Sequence, residues 1–129
     1  METTLFDKYG VPRAYIDEET SFIYLWHGKA TAYIDDEKVY GWKEGIHLGW
    51  FINGILYDLK GTRVGFISDK CPVTPHSEPS KPTKLTAYPK APHNLPFSKV
   101  FLSEVTSNKH LEKFFSLDTV SFLWKPFHQ

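Results

Sequence analysis

Apolar and polar residues alternate in short runs along the first half of the chain, and the runs repeat. "TLFDKYGVPRAYID", "FIYLWHGKATAYID", "VYGWKEGIHLGWFI" and "LYDLKGTRVGFI" align on four glycines, Gly10, Gly28, Gly45 and Gly61. An aromatic residue (Phe6, Tyr24, Tyr40, Tyr57) precedes each glycine. A small residue (Ala14, Ala32, Gly49, Gly65), an aromatic (Tyr15, Tyr33, Trp50, Phe66) and an apolar residue (Ile16, Ile34, Phe51, Ile67) follow it in order. Period-2 alternation rich in Tyr, Trp, Ile and Val predicts strands on both flanks of each glycine. The glycine itself suits a three-residue hairpin loop that needs a left-handed residue.

The links between units are short and polar: "DEETS", "DDEK" and the dipeptide Asn53-Gly54. Asn-Gly between apolar runs favours a two-residue type I′ turn. Links this short force neighbouring strands to run antiparallel. The predicted fold is therefore mainly β, with eight up-and-down antiparallel strands from four β-hairpin repeats. Eight short strands laid flat would leave two free edges, and a fourfold repeat makes closure into a barrel natural. The predicted layout is a barrel over 4–69, a Pro-rich linker or strap over 70–97 and a C-terminal helical, apolar segment over 98–129.

Alternation also sorts the faces of the barrel. The Ala/Ala/Gly/Gly and Ile/Ile/Phe/Ile positions share one face, and the Tyr/Tyr/Trp/Phe position takes the other. Space is least where four copies converge, which puts the small residues at the axis and the aromatics outside or under the C-terminal segment. The reverse assignment stays open at this level.

Seven of the nine prolines fall in 71–97, a density that blocks both helix and ladder pairing. That stretch reads as a solvated tether, or as an ordered strap anchored by Leu85, Tyr88 and Leu95. A ligand for a proline-recognising domain is a remote reading, since "PHSEPSKP" has no clear basic flank. Beyond it, "SNKHLEKFFSL" predicts a short helix with Leu111, Phe114 and Phe115 on one side. "TVSFLWKPF" could continue it or form a strand, with Phe122 and Trp124 as candidate plugs for the barrel mouth.

The four units resemble the fourfold β-flower proteins, most clearly in "VYGWKEGIHLGWFI" and "LYDLKGTRVGFI", over roughly residues 4–69. The resemblance implies short hairpins round a central axis with an apolar channel, similar in outline to the tubby C-terminal barrel. It brings no reaction and no catalytic residues, and it hints at lipid or phosphoinositide binding by fold analogy alone.

Composition narrows the function classes. At 129 residues the chain can bury one core without metal or disulfide help. Its one cysteine, Cys71, permits neither an internal disulfide nor a cysteine-based zinc cluster. The start "METTLFDKYG" has neither a basic start nor a long apolar run, and no transmembrane segment is read, so a cytoplasmic setting is expected. Net charge is zero. Residues 1–70 hold 8 Lys/Arg against 11 Asp/Glu, and the remainder 7 against 4, too even for a nucleic-acid partner.

The six histidines show neither HxH nor HExxH spacing, and the glycines form no phosphate-binding loop, so neither metal nor cofactor is expected. His47 and Arg63 occupy the register of Pro12 and Ala30, two polar deviations that could mark a site or simply face solvent. Asp7 and Asp58 are likewise equivalent, and are expected to be solvated or to bond backbone amides. The expected function is a non-enzymatic binding or interaction module whose aromatic-rich barrel or mouth holds an apolar or planar small ligand, a lipid or a partner segment. Its candidate ligand-binding residues are Trp26, Trp42, Trp50, Tyr24, Tyr40, Tyr57, His47 and Arg63. The alternatives are an oligomerising or protein-inhibiting factor, a homo-oligomer among its forms, acting through the C-terminal region, and a small hydrolase or nucleotide-processing enzyme using His47 with nearby acids.

Overall fold

Each glycine-centred run folds as the alternation predicts. The computed structural model describes residues 1–85 and 89–124, with side chains described to Leu117. Its strands are β1 (Glu2–Phe6), β2 (Pro12–Asp17), β3 (Phe22–Leu25), β4 (Ala30–Asp35), β5 (Lys38–Gly41), β6 (His47–Ile52), β7 (Ile55–Asp58) and β8 (Arg63–Phe66). They form a closed antiparallel barrel in sequence order. A helix, α1 (Leu111–Trp124), lies near the C-terminus.

The turns explain the glycines. Gly10, Gly28 and Gly61 have φ of 81°, 105° and 82°, and donate N–H to the carbonyls of Asp7, Leu25 and Asp58 three residues back. Asn53 (φ 53°) and Gly54 (φ 79°) take the left-handed pair that a type I′ turn requires. Every unit also carries a bulge at one place, between Leu5/Phe6, Ile23/Tyr24, Val39/Tyr40 and Leu56/Tyr57. A bulge bends the strand and strengthens its twist, the curvature a small barrel needs. It also flips the residues beyond it, so Pro12, Ala30, His47 and Arg63 stand opposite Phe6, Tyr24, Tyr40 and Tyr57 across the hairpins. Closure is narrow: β1 and β8 share the single pair Phe6–Phe66, where the other joints between units hold four pairs each.

The barrel separates two apolar layers. Leu5, Ala14, Ile16, Ile23, Ala32, Val39 and Leu56 belong to the inner one, with Gly65 packed on Leu111. Ala14, Ala32 and Gly65 thus sit at the crowded axis, whereas the Tyr57 carbonyl of β7 stands where Gly49 would carry a Cβ. Leu111, Phe114 and Phe115, the three helix positions that share a face, are buried into this layer, while Glu112, Lys113 and Ser116 are exposed. The helix touches β2, β4, β5, β6 and β8, and so lies across the barrel mouth at the end of the glycine turns. The segment "TVSFLW" continues this helix, whereas the side chains of Phe122 and Trp124 lie outside the described residues.

The outer layer is aromatic: Tyr15, Tyr24, Tyr33, Tyr40 and Trp42, with Phe22 and Trp26 against them. Its cover is the Pro-rich strap, not the C-terminal segment. The strap is ordered by backbone, in nine-residue steps. The N–H groups of His76, Leu85, Asn94 and Ser103 donate in turn to the carbonyls of Gly10, Gly28, Gly45 and Gly61, at 2.8, 2.8, 2.8 and 3.0 Å. The carbonyls of Thr74, Thr83, Pro92 and Phe101 stand where each of those glycines would carry a Cβ. One fourfold element therefore seats on another. The expected anchors do not hold it: Leu85 is 58% and Leu95 92% exposed, and Tyr88 lies outside the described residues. A proline-rich backbone has few donors, and spending them on the turn carbonyls leaves its apolar side chains outside.

Candidate functional site

Of the candidate ligand residues, the aromatics do not converge on one cavity. They pave the outer wall beneath the strap. Tyr24 stacks on Tyr15 with centroids 5.5 Å apart, and Trp26 meets Tyr15 edge-on at 5.8 Å. Trp42 lies edge-on to Phe22 at 4.8 Å, and Tyr40 is sandwiched between Tyr33 at 5.6 Å and His93 of the strap at 4.5 Å. Burial raises the Tyr40 phenol above its ordinary pKa. Tyr57 and Trp50 are also buried, and the Arg63 guanidinium lies 5.9 Å from the Tyr57 ring while its Nε donates to the Ser103 carbonyl.

Strap cations complete this wall. Lys81 Nζ lies 4.8 Å from the Tyr15 ring and 5.1 Å from Trp26, Lys84 5.0 Å from Tyr24, and Lys90 4.4 Å from Tyr33. Such contacts are each worth about 0.5–1 kcal/mol at exposed sites. Lys81 and Lys84 also reach Glu2 at 2.9 Å, and Lys84 reaches Asp17 at 2.9 Å. Hydrogen bonds from these lysines hold the Glu2 and Asp17 carboxyls below the usual carboxylate range, and raise Lys84.

His47 joins the barrel to the strap. It is 1% exposed, so the reading of this register as solvent-facing is corrected for His47: the bulge turns the ring outward, and Phe97 stacks over it at 5.8 Å. Nδ1 accepts the Phe97 N–H at 2.9 Å, which leaves the Nε2–H to donate to the Gly49 carbonyl at 2.8 Å. Burial lowers its pKa below 6.5. The imidazole is neutral, in one tautomer, with both nitrogens engaged.

Asp7 and Asp58 bond amides, one of the two expected readings. Asp58 Oδ1 accepts from the Lys60 and Thr62 N–H groups, and Oδ2 from the Thr62 hydroxyl at 2.7 Å. Asp7 does the same for Tyr9 and Val11, with Arg13 Nε on its second oxygen. Among the described residues, no three His, Cys, Asp or Glu side chains gather as metal ligands, and no helix is long and apolar enough to cross a membrane.

The barrel axis is filled by aliphatic side chains and by the helix phenylalanines. A cleft of about 410 Å³ lies at the mouth between the β5–β6 and β7–β8 turns, the strap and α1. Ile46, Leu48, Leu59, Leu95, Phe97 and Leu117 give it an apolar lining, and Lys60, Asn94 and Lys109 give it a polar lip. Lys109 Nζ lies 3.9 Å from Asp58 Oδ2. Of the eight candidate residues, His47 alone lines it. The other contributors escaped the sequence reading because they come from segments up to 71 positions apart (46–60, 94–97, 109–117), and no spacing rule links them. An apolar floor beneath a cationic lip suits an amphiphile or the end of an apolar segment.

A family model described as 4-fold beta flower protein matches residues 3–115, so the likeness extends from the barrel through the strap into α1. No curated protein and no solved structure matches the chain.

Proposed function

The chain belongs to the 4-fold beta flower protein family, and on that premise we propose that it is a non-enzymatic binding module. Its ligand seat is the cleft at the mouth, not the barrel axis. One observation carries this reading. The mouth cleft is apolar, lipped by Lys60 and Lys109, and bordered by titratable groups already engaged within the fold. His47 has both ring nitrogens engaged, and the Asp58 oxygens serve the turn. The ligand class is a small apolar molecule with a polar or anionic head, or the apolar end of a partner segment. A cytoplasmic setting belongs to the same proposal.

Native mass spectrometry of the protein taken directly from cells, with displacement of a hydrophobic fluorescent probe, tests it. The wild type should retain an apolar ligand or bind the probe. Leu59→Trp, which fills the cleft from its edge, should weaken binding about tenfold or more, a loss of about 1.4 kcal/mol. No retained ligand and no probe binding would remove the proposal.

A further inference from the structure

The two ends of the barrel differ in chemistry. The up-and-down order places all four glycine turns at one end and all links between units at the other. The link end carries exposed Glu18, Glu19, Asp35, Asp36, Glu37 and Asp69 against exposed Lys70 and half-buried Lys38. The turn end carries one lysine per unit: Lys8, half-buried, and Lys29, Lys43 and Lys60, all exposed. Glu44 shares the third turn with Lys43, exposed Glu104 lies between the strap residues bonded to Gly61 and Arg63, and Glu112 and Lys113 offset one another on the exposed face of α1. Asp7 and Asp58, also at this end, are buried and bonded to amides. The chain, formally neutral, is thus polarised along its barrel axis.

The same end collects exposed apolar side chains. Leu95 (92%), Phe101 (87%), Tyr9 (61%), Val105 (61%), Leu85 (58%) and Phe97 (56%) lie on the first turn, on strap residues that bond or abut the turn glycines or the start of β8, or in the lining of the mouth cleft. The strap seats by its backbone and leaves these side chains exposed. Lys29, Lys43, Lys60 and Lys99 are exposed beside them, so the apolar and basic groups are spread over this end rather than gathered in one groove.

We propose that this end docks on an anionic lipid bilayer, with the barrel axis close to the membrane normal. A planar surface can meet four quarter-turns at once. The apolar tips would enter the headgroup boundary while the lysines meet anionic headgroups, the pairing that holds interfacial segments on membranes. The acidic link end faces away, so the molecular dipole reinforces the orientation. No particular headgroup is selected, because the lysines are single and spread over this end. The inference stands on the charge and apolar asymmetry and does not need the cleft to hold a ligand.

Vesicle co-sedimentation of the full chain tests this, using phosphatidylcholine alone and phosphatidylcholine with roughly one third phosphatidylserine. Binding is expected on the anionic vesicles at about 50 mM salt and should fall steeply by about 300 mM. Lys29→Glu/Lys43→Glu/Lys60→Glu should weaken it on the order of 100-fold, and Leu95→Ser/Phe101→Ser about tenfold. Both sets lie on exposed side chains, and thermal melting checks folding. If the charge variant melts early, the Leu95/Phe101 variant decides. Lys38→Glu/Lys70→Glu at the opposite end should bind as wild type. Equal binding to both vesicle types, no binding at low salt, or equal loss in the opposite-end variant would overturn the proposal. So would capture of an acidic protein by this end of a chain that ignores vesicles.

Discussion

Gly10 and Gly54 form a matched pair that isolates what seating the strap contributes. Their φ angles are 81° and 79°, so an alanine meets the same left-handed strain at either, about 1–2 kcal/mol. Their surroundings differ. A Cβ on Gly54 meets only side chains, Ile67 Cδ1 at 2.6 Å and Cγ1 at 2.7 Å and Lys70 Cγ at 3.2 Å, which a rotamer change can move without shifting backbone. A Cβ on Gly10 meets the Thr74 carbonyl oxygen at 2.7 Å, with Val73 Cγ2 at 3.0 Å and Pro75 Cα at 3.3 Å. Backbone cannot swing away alone, so the first quarter of the strap must lift. It then gives up the His76 N–H bond to the Gly10 carbonyl, about 1 kcal/mol, and part of the contact around Pro75. Gly54→Ala should therefore cost about 1–2 kcal/mol in urea unfolding, and Gly10→Ala about 2–4 kcal/mol. Hydrogen exchange adds a local readout: the His76 amide should lose protection in Gly10→Ala and keep it in Gly54→Ala. Two variants equal within about 0.5 kcal/mol, with His76 protected in both, would refute the seating of the strap on the turn glycines.

Acid should destabilise the protein through His47, because burial lowers its pKa in the folded state while the unfolded chain titrates near 6.5. The unfolded state binds the extra proton first, so stability is full above pH 6.5 and declines as the pH falls toward the lowered value. Urea midpoints measured downward from pH 7 should show the decline. His47→Leu should flatten that limb and cost about 1–3 kcal/mol at neutral pH by stranding the Phe97 N–H. A wild-type midpoint unchanged across that range would contradict a buried neutral imidazole. Phe114→Ala removes a side chain that is 0% exposed beneath the helix and should cost about 3–5 kcal/mol. Phe101→Ala, at 87% exposure, should stay within about 0.5 kcal/mol. Chemical denaturation of the two side by side checks which phenylalanine belongs to the core.

Local chemistry made the barrel readable. A glycine that must be left-handed, an Asn-Gly turn and period-2 alternation act over a few residues, and they fix hairpins wherever they occur. Four copies then leave closure as the way to remove both edges, and the crowding of Ala14, Ala32 and Gly65 at one axis follows. A strap was one of two readings of the Pro-rich stretch, but the way it seats was not readable, although its nine-residue step is as regular as the barrel repeat. Thr74, Thr83, Pro92 and Phe101 share no side-chain chemistry, because what each contributes is a backbone carbonyl. A contact made by main chain leaves no mark on residue type, so Leu85 and Leu95 looked like anchors and proved to be the outward face.

His47 shows the same division. Its register beside Pro12, Ala30 and Arg63 was visible, but the Phe97 amide that engages its ring comes from fifty residues further along the chain. Short-range sequence determined the unit, its turns and its number. Tertiary structure decided which end carries the strap, the cleft and the exposed apolar side chains, since those depend on where distant segments run once the barrel has closed.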